Sequence, residues 1–269
     1  MMKIGVIGAG NLASAVIGGS VRSGAFSGDA FLVYDLFADK VRECCEKFGV
    51  NAADDAQQVA SACDVVIVAV KPKDFAALLA QLSPALQAND PLLVSVAAGL
   101  SIEYLTGCLS YAPRLVRLMT NLNAAVCGAM TAYCPNARAT DEDKAFMAQF
   151  CKSFGDAIEL DESLFAQFGV LAGCVPAFVY KFIDEIARAG VQIGVRKDLA
   201  LRIAAQTVLG SAQVALESDA HPYAMIDRVC TPGGTTIDGI AALDACRFND
   251  AVHQAVLASF EKDRKLAKK

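Results

Sequence analysis

Two short runs in this chain have the residue types and spacing of ligand chemistry. The first is Gly8-Ala9-Gly10-Asn11-Leu12-Ala13, a G-x-G-x-x-A that follows the apolar run Lys3–Ile7 and opens the helix-like stretch Ser14–Ser23. Asp35 closes the next β-rich run, 22 residues beyond Ala13. A strand, such a glycine turn, a helix and a later acid at that spacing bring backbone amides close to the pyrophosphate of a dinucleotide. In this reading Gly8 makes the turn and Gly10 removes a side chain that would block phosphate. Asn11, Leu12 and Ala13 then supply the helix N-terminus. Asp35 would accept both hydroxyls of the adenosine ribose and repel a 2′-phosphate, which predicts NADH in preference to NADPH. The purely structural alternative has Asp35 in solvent or capping the helix that starts near Ala38.

The second run is Cys230-Thr231-Pro232-Gly233-Gly234-Thr235-Thr236-Ile237-Asp238. Pro-Gly-Gly before a threonine and a helix presents successive backbone amides, an arrangement suited to an anion. Thr235 with Asp238 three positions on has the form of a capping box. One threonine is enough for a cap, so Thr236 has a hydroxyl to spare for a ligand. Amides for a carboxylate beside a free hydroxyl describe a substrate site built from Thr231, Gly233, Gly234, Thr235 and Thr236. Two further segments, Val70-Lys71-Pro72 and Ala97-Ala98-Gly99, end β-rich runs, where open α/β sheets bind their ligands. Proline at 72 holds Lys71 extended, so Lys71 either faces the cofactor or is a solvated loop lysine.

The elements that must position these residues alternate. Apolar runs at Lys3–Ile7, Phe31–Tyr34, Val65–Val70, Leu92–Val96 and Leu115–Leu118 are separated by helical patterns at Ala38–Phe48, Asp74–Leu82 and Ser101–Leu109. Near-continuous apolar strands with helices between them predict a doubly wound parallel sheet, closed by a helix over Asp141–Ser153 and a strand over Ala157–Leu160. Beyond Asp161 the strand pattern stops. Helices are predicted at Ser163–Leu171, Ala177–Ala189, Lys197–Glu217, Tyr223–Val229, Ile237–Ala245 and Asp250–Lys265, so the fold class is α/β with an all-helical second domain. The division is 1–161 and 162–269.

Composition narrows the function classes. The 269 residues carry 24 Lys plus Arg against 29 Asp plus Glu, a net charge of −5, which does not favour a nucleic-acid surface. Apolar residues make up 55%, more than one core readily absorbs, and Ala and Gly recur in the later helices, which predicts a buried subunit interface. No stretch of about 20 residues is continuously apolar, so no membrane span is expected. The short, glycine-filled N-terminal run does not read as a signal peptide. The 10 cysteines are scattered and the 2 histidines, His221 and His253, stand apart, so no metal site is expected and the thiols are taken as reduced in a cytoplasmic protein.

Taken together, Ile7–Ala13, Val70-Lys71-Pro72, Pro176-Ala177-Phe178-Val179-Tyr180, Ala189-Gly190-Val191 with Gly194, Ala205-Gln206-Thr207, His221-Pro222 and above all Thr231–Thr236 make the chain resemble the pyrroline-5-carboxylate reductase family over essentially its full length. The resemblance implies a Rossmann domain and a helical dimerisation domain, hence a homodimer or a larger homo-oligomer. It also implies reduction of the imino acid 1-pyrroline-5-carboxylate to L-proline by NADH or NADPH, with Met119 and Asn121 added to the cofactor-facing residues and the Thr236 hydroxyl at the imine nitrogen. Two stretches depart from the family pattern. Met119-Thr120-Asn121-Leu122-Asn123-Ala124 stands where Met-Pro-Asn-Thr-Pro-Ala is typical, and Ala172-Gly173-Cys174-Val175-Pro176-Ala177 where Ser-Gly-Ser-Gly-Pro-Ala is. The rival readings are a reductase of another cyclic imino acid or 2-oxo acid, and a catalytically silent dinucleotide-binding protein.

Overall fold

The computed structural model describes residues 2–267. They form two compact units, one made of residues 2–173 and 262–267, the other Cys174–Glu261. The first unit contains, in order, β1 (Ile4–Ile7), α1 (Asn11–Arg22), β2 (Phe31–Tyr34), α2 (Ala38–Phe48), β3 (Asn51–Ala52), α3 (Ala56–Ala62), β4 (Val65–Val68), α4 (Phe75–Asn89), β5 (Leu92–Ser95), α5 (Ile102–Gly107), β6 (Leu115–Met119), β7 (Ala129–Pro135), α6 (Asp141–Lys152), β8 (Gly155–Glu159) and α7 (Phe165–Phe168). The strands join in the order β3-β2-β1-β4-β5-β6-β7-β8.

The sheet is covered on both faces, and β4 shows why. Its Val65-Val66-Ile67-Val68 run is buried throughout between β1 and β5. Alternate side chains enter different cores: Val65 and Ile67 join Val16, Ile17, Met147 and Phe150 from α1 and α6, while Val66 and Val68 join Val59, Leu79, Leu86 and Leu105 from α3, α4 and α5. Phe150 anchors the first core, its ring centre 5.5 Å from that of Phe26 and 5.3 Å from that of Phe154. Helix starts follow local chemistry. Ser101 accepts from the Tyr104 amide at 3.1 Å to begin α5, and Thr140 with Asp143 forms a reciprocal capping box on α6.

The expectation of a parallel sheet holds from β3 to β6, but β7 lies antiparallel to β6, with Leu118 opposite Tyr133. β7 escapes the sequence pattern because its Ala129-Met130-Thr131-Ala132 start has little β-branched or aromatic content. Burial secures it instead: Thr131 is buried and its hydroxyl lies 2.8 Å from that of Thr120. The two-residue β3 and the short α3 are equally too brief to show a period.

The second unit consists of α8 (Val175–Gln192), α9 (Lys197–Glu217), α10 (Pro222–Val229), α11 (Thr235–Ala245) and most of α12 (Phe248–Ala267). α8 and α9 pack closely, since a Cβ on Gly190 would lie 2.9 Å from the Ala200 Cβ. Asp184 joins the same two helices through Lys197 and Arg188, and these hydrogen bonds hold its carboxyl down at about 2. Among the described residues of this unit only Ala187, Ala200 and Ala204 are buried. Ile193 is 83% exposed, Leu216 89% and Val229 65%. Two helical stretches, Glu162–Gln192 and Lys197–Glu217, are long and apolar enough to cross a membrane by length and composition alone.

Candidate active site

The site begins where the carboxyl ends of β1 and β4 adjoin, the position at which a doubly wound sheet opens a crevice. Gly8 follows β1 with φ +105°, donates its amide to the Tyr34 carbonyl at 2.7 Å, and would place a Cβ 2.6 Å from the Ala69 oxygen. Only glycine fits that turn. Gly10 differs. It is the N-cap of α1, has extended backbone (φ −72°, ψ 179°), makes no side-chain cap, and a Cβ there would meet nothing within 4 Å. The amides of Asn11, Leu12 and Ala13 therefore begin a helix whose positive end opens onto free space. Those features suit a pyrophosphate.

Asp35 neither caps α2 nor simply faces solvent. Its Oδ2 accepts the Ala9 amide at 2.7 Å and its Oδ1 the Phe37 amide at 2.9 Å, while the N-cap of α2 is Phe37. The acid thus braces the glycine turn from the end of β2, a tie that residue spacing does not reveal. Val70 is half-buried, and Lys71 is exposed and extended (φ −66°, ψ 145°), as Pro72 requires. In the third segment Ala97 is buried with its amide 3.3 Å from the Ser95 hydroxyl, Ala98 is exposed, and Gly99 has φ +77°.

The two stretches that depart from the family pattern meet at one place in the first unit. Asn121 donates Nδ2–H to the Ala172 carbonyl at 2.9 Å and accepts the Asn123 amide at 3.1 Å. Met119 packs on Gly169, where a Cβ would lie 2.9 Å from the sulfur. Asn121 is therefore a brace between segments.

In the second unit the Thr231–Gly234 turn closes with the Gly234 amide on the Thr231 carbonyl at 2.9 Å. Gly233 has φ +71°, and a Cβ on Gly234 would collide with the Thr231 side chain. This turn corrects the capping expectation. Gly234, extended at φ −82° and ψ 167°, is the N-cap of α11 and makes no side-chain cap, so Thr235 is already helical and the Thr235–Asp238 capping box does not form. Neither threonine is spent on the helix start. The Gly234 amide is spent in the turn, which leaves the amides of Thr235 and Thr236, at the first two helical positions, without intrahelical partners. His221 is a structural cap, its Nδ1 accepting the Tyr223 amide at 3.3 Å. Burial pushes the Cys63 thiol up to about 11 and raises that of Cys151 further, so neither offers a thiolate. No metal-binding cluster occurs among the described residues.

A doubly wound sheet with a glycine-lined, uncapped helix N-terminus at its crevice defines a Rossmann-type dinucleotide-binding protein. Residues 162–266 match the family described as pyrroline-5-carboxylate reductase dimerisation, and residues 3–99 match the one described as NADP oxidoreductase, coenzyme F420-dependent. The pyrroline-5-carboxylate reductase of Escherichia coli (strain K12) is 38% identical over 266 residues, 99% of this chain and 98% of that protein. The solved 1-pyrroline-5-carboxylate reductase of Streptococcus pyogenes is 33% identical with a TM-score of 0.85, covering 98% of each chain. The solved pyrroline carboxylate reductase of Plasmodium falciparum, with NADP bound, is 27% identical with a TM-score of 0.87, covering 99% of this chain and 98% of its own. The chain belongs to the pyrroline-5-carboxylate reductase family.

Proposed function

We propose that this protein reduces 1-pyrroline-5-carboxylate to L-proline. The observation that carries the reading is the Thr231–Thr236 turn at an uncapped helix N-terminus, in a chain that matches a reductase of that name at 38% identity over 99% of its length. When bound, a reduced nicotinamide supplies hydride to the ring C=N carbon. The chain's own residues hold and orient. The α1 N-terminus with Gly8, Gly10, Asn11, Leu12 and Ala13 takes the pyrophosphate, and Asp35 takes the ribose. Val70-Lys71-Pro72, Ala97-Ala98-Gly99, Met119 and Asn121 border the remainder of the cofactor. The Gly233, Thr235 and Thr236 amides take the substrate carboxylate beside Thr231 and Gly234, and the Thr236 hydroxyl hydrogen-bonds the ring nitrogen. A protonated imine is already electrophilic, so orientation rather than a strong protein acid is the work required. Purified protein mixed with pyrroline-5-carboxylate and reduced cofactor should consume the nicotinamide absorbance; no turnover at any concentration would reject the proposal.

A second reading has one specific support. The departing stretches 119–124 and 172–177 are joined by the hydrogen bond from Asn121 to the Ala172 carbonyl, so a change in one bears on the other. A six-membered cyclic imino acid, run as a parallel substrate, separates the two readings by the larger kcat/KM.

On cofactor choice, an acidic side chain stands at Asp35, directly after β2, where a 2′-phosphate would be disfavoured, and no Arg follows in Leu36–Asp39. NADH should therefore give the higher kcat/KM. A preference for NADPH of about tenfold or more, roughly 1.4 kcal/mol, rejects this.

On assembly, a helical unit whose buried residues are three alanines lacks a core of its own, and its exposed Ile193, Leu209, Leu216 and Val229 need cover. A second copy supplies it, forming an obligate homodimer that buries more than roughly 2,000 Å² in total. Light scattering at micromolar concentration should give the dimer mass; a monomer would contradict it.

A further inference from the structure

Arg117 sits inside β6 between Ser95 of β5 and Cys134 of β7, where a guanidinium is out of place unless something uses it. Its side chain is only 9% exposed. Nη1 donates to Glu162 Oε1 at 2.8 Å, the guanidinium lies 4.6 Å over the Phe165 ring, and Nε is buried without a partner. The same Glu162 oxygen accepts the Ile102 amide at 2.7 Å. Ile102 opens α5, directly after the Ala97–Gly99 segment and the Ser101 cap. One carboxylate oxygen therefore joins three pieces: the exit of the 97–99 loop, the middle of β6, and the start of the 162–173 segment. At the loop's other end the Ser95 hydroxyl holds the Ala97 amide. A buried ion pair is a weak source of stability, and an unpartnered Nε weakens it further; what such a pair does supply is a single fixed geometry.

Resting on the cofactor reading above, we infer that Arg117 and Glu162 are positioning residues that set the Ala97–Gly99 loop for the dinucleotide. Neither touches the reacting atoms. Gly99, at φ +77° with open space around it, has no side chain to hold the loop in place, so the tie at Ile102 does so from below.

The test uses the full-length protein with Glu162→Ala and Glu162→Gln. Gln keeps an oxygen for the Ile102 amide, whereas Ala removes it. In ligand-free Glu162→Ala, amide hydrogen exchange across residues 97–102 should accelerate by about tenfold while β1 and β4 stay protected. Its calorimetric Kd for NADH should weaken by about tenfold, with kcat at saturating NADH changed less than about threefold. Glu162→Gln should return Kd to within about threefold of wild type. If Glu162→Ala fails to fold, Arg117→Lys, which keeps the charge but loses the planar stack on Phe165, should show the same loop exchange and Kd shift. Unchanged loop exchange, an unchanged Kd, or a fall in kcat that tracks the melting temperature with no recovery in Gln would overturn the role. Wild-type protein that binds no dinucleotide overturns the cofactor reading itself, a failure seen before any variant is made.

Discussion

Replacing Thr236 by Ala should lower kcat/KM for pyrroline-5-carboxylate by about 30- to 150-fold, some 2–3 kcal/mol, with cofactor Kd nearly unchanged. The loss is one hydrogen bond to the ring nitrogen that strengthens as the imine becomes an amine, so it falls on turnover more than on ground-state binding. Thr235→Ala is the control. Because Gly234 is the N-cap and Thr235 is the first helical residue, the mutation removes no cap, and stability should move by no more than about 0.5 kcal/mol. Successive helical residues point about 100° apart, so the two hydroxyls cannot both address one ring nitrogen. Steady-state kinetics on both variants decides between them. Normal turnover in Thr236→Ala with lost turnover in Thr235→Ala reverses the assignment, and normal turnover in both removes the hydroxyl from the mechanism.

The cap at Gly234 also marks the limit of what spacing can tell. Thr235 and Asp238 satisfy the capping pattern, but the pattern does not fix which residue turns into the helix first. That is decided by Gly233 at positive φ and by the Thr231–Gly234 hydrogen bond, which advance the helix start by one residue. Where a single local feature dominates, sequence and structure coincide: α2 spans Ala38–Phe48 and α9 spans Lys197–Glu217, as their residues predict. Elements secured by tertiary contact were not legible. β7 depends on pairing with β6 and on a buried Thr131, and the brace from Asp35 to Ala9 depends on two loops 26 residues apart meeting at one end of the sheet. Asn121 follows the same rule, since its partner Ala172 lies 51 residues away. The glycine motif was legible because its demands are purely local: a turn, a gap and a helix start.

Those local demands separate the two glycines of the motif, and Gly10→Ser should give the clearest result. The backbone at Gly10 is extended and a Cβ meets no protein atom within 4 Å, so the fold accepts a side chain there. Serine is moreover a favoured N-cap, its oxygen able to accept the amide of Leu12 or Ala13, so the melting temperature should hold or rise with a change of a few tenths of a kcal/mol. The same oxygen would occupy the space and satisfy the donors assigned to the pyrophosphate. NADH affinity should then weaken on the order of 100-fold, about 2.7 kcal/mol, in a protein as stable as wild type. Gly8→Ala should fail differently. At φ +105°, with the Ala69 oxygen 2.6 Å from any Cβ, alanine forces β1 and β4 apart at the crevice, and about 3 kcal/mol of stability should go with it. Thermal unfolding and calorimetric titration of the two variants measure both quantities. If Gly10→Ser binds NADH as wild type does, the α1 N-terminus does not hold the pyrophosphate, and the dinucleotide must be sought elsewhere on the chain.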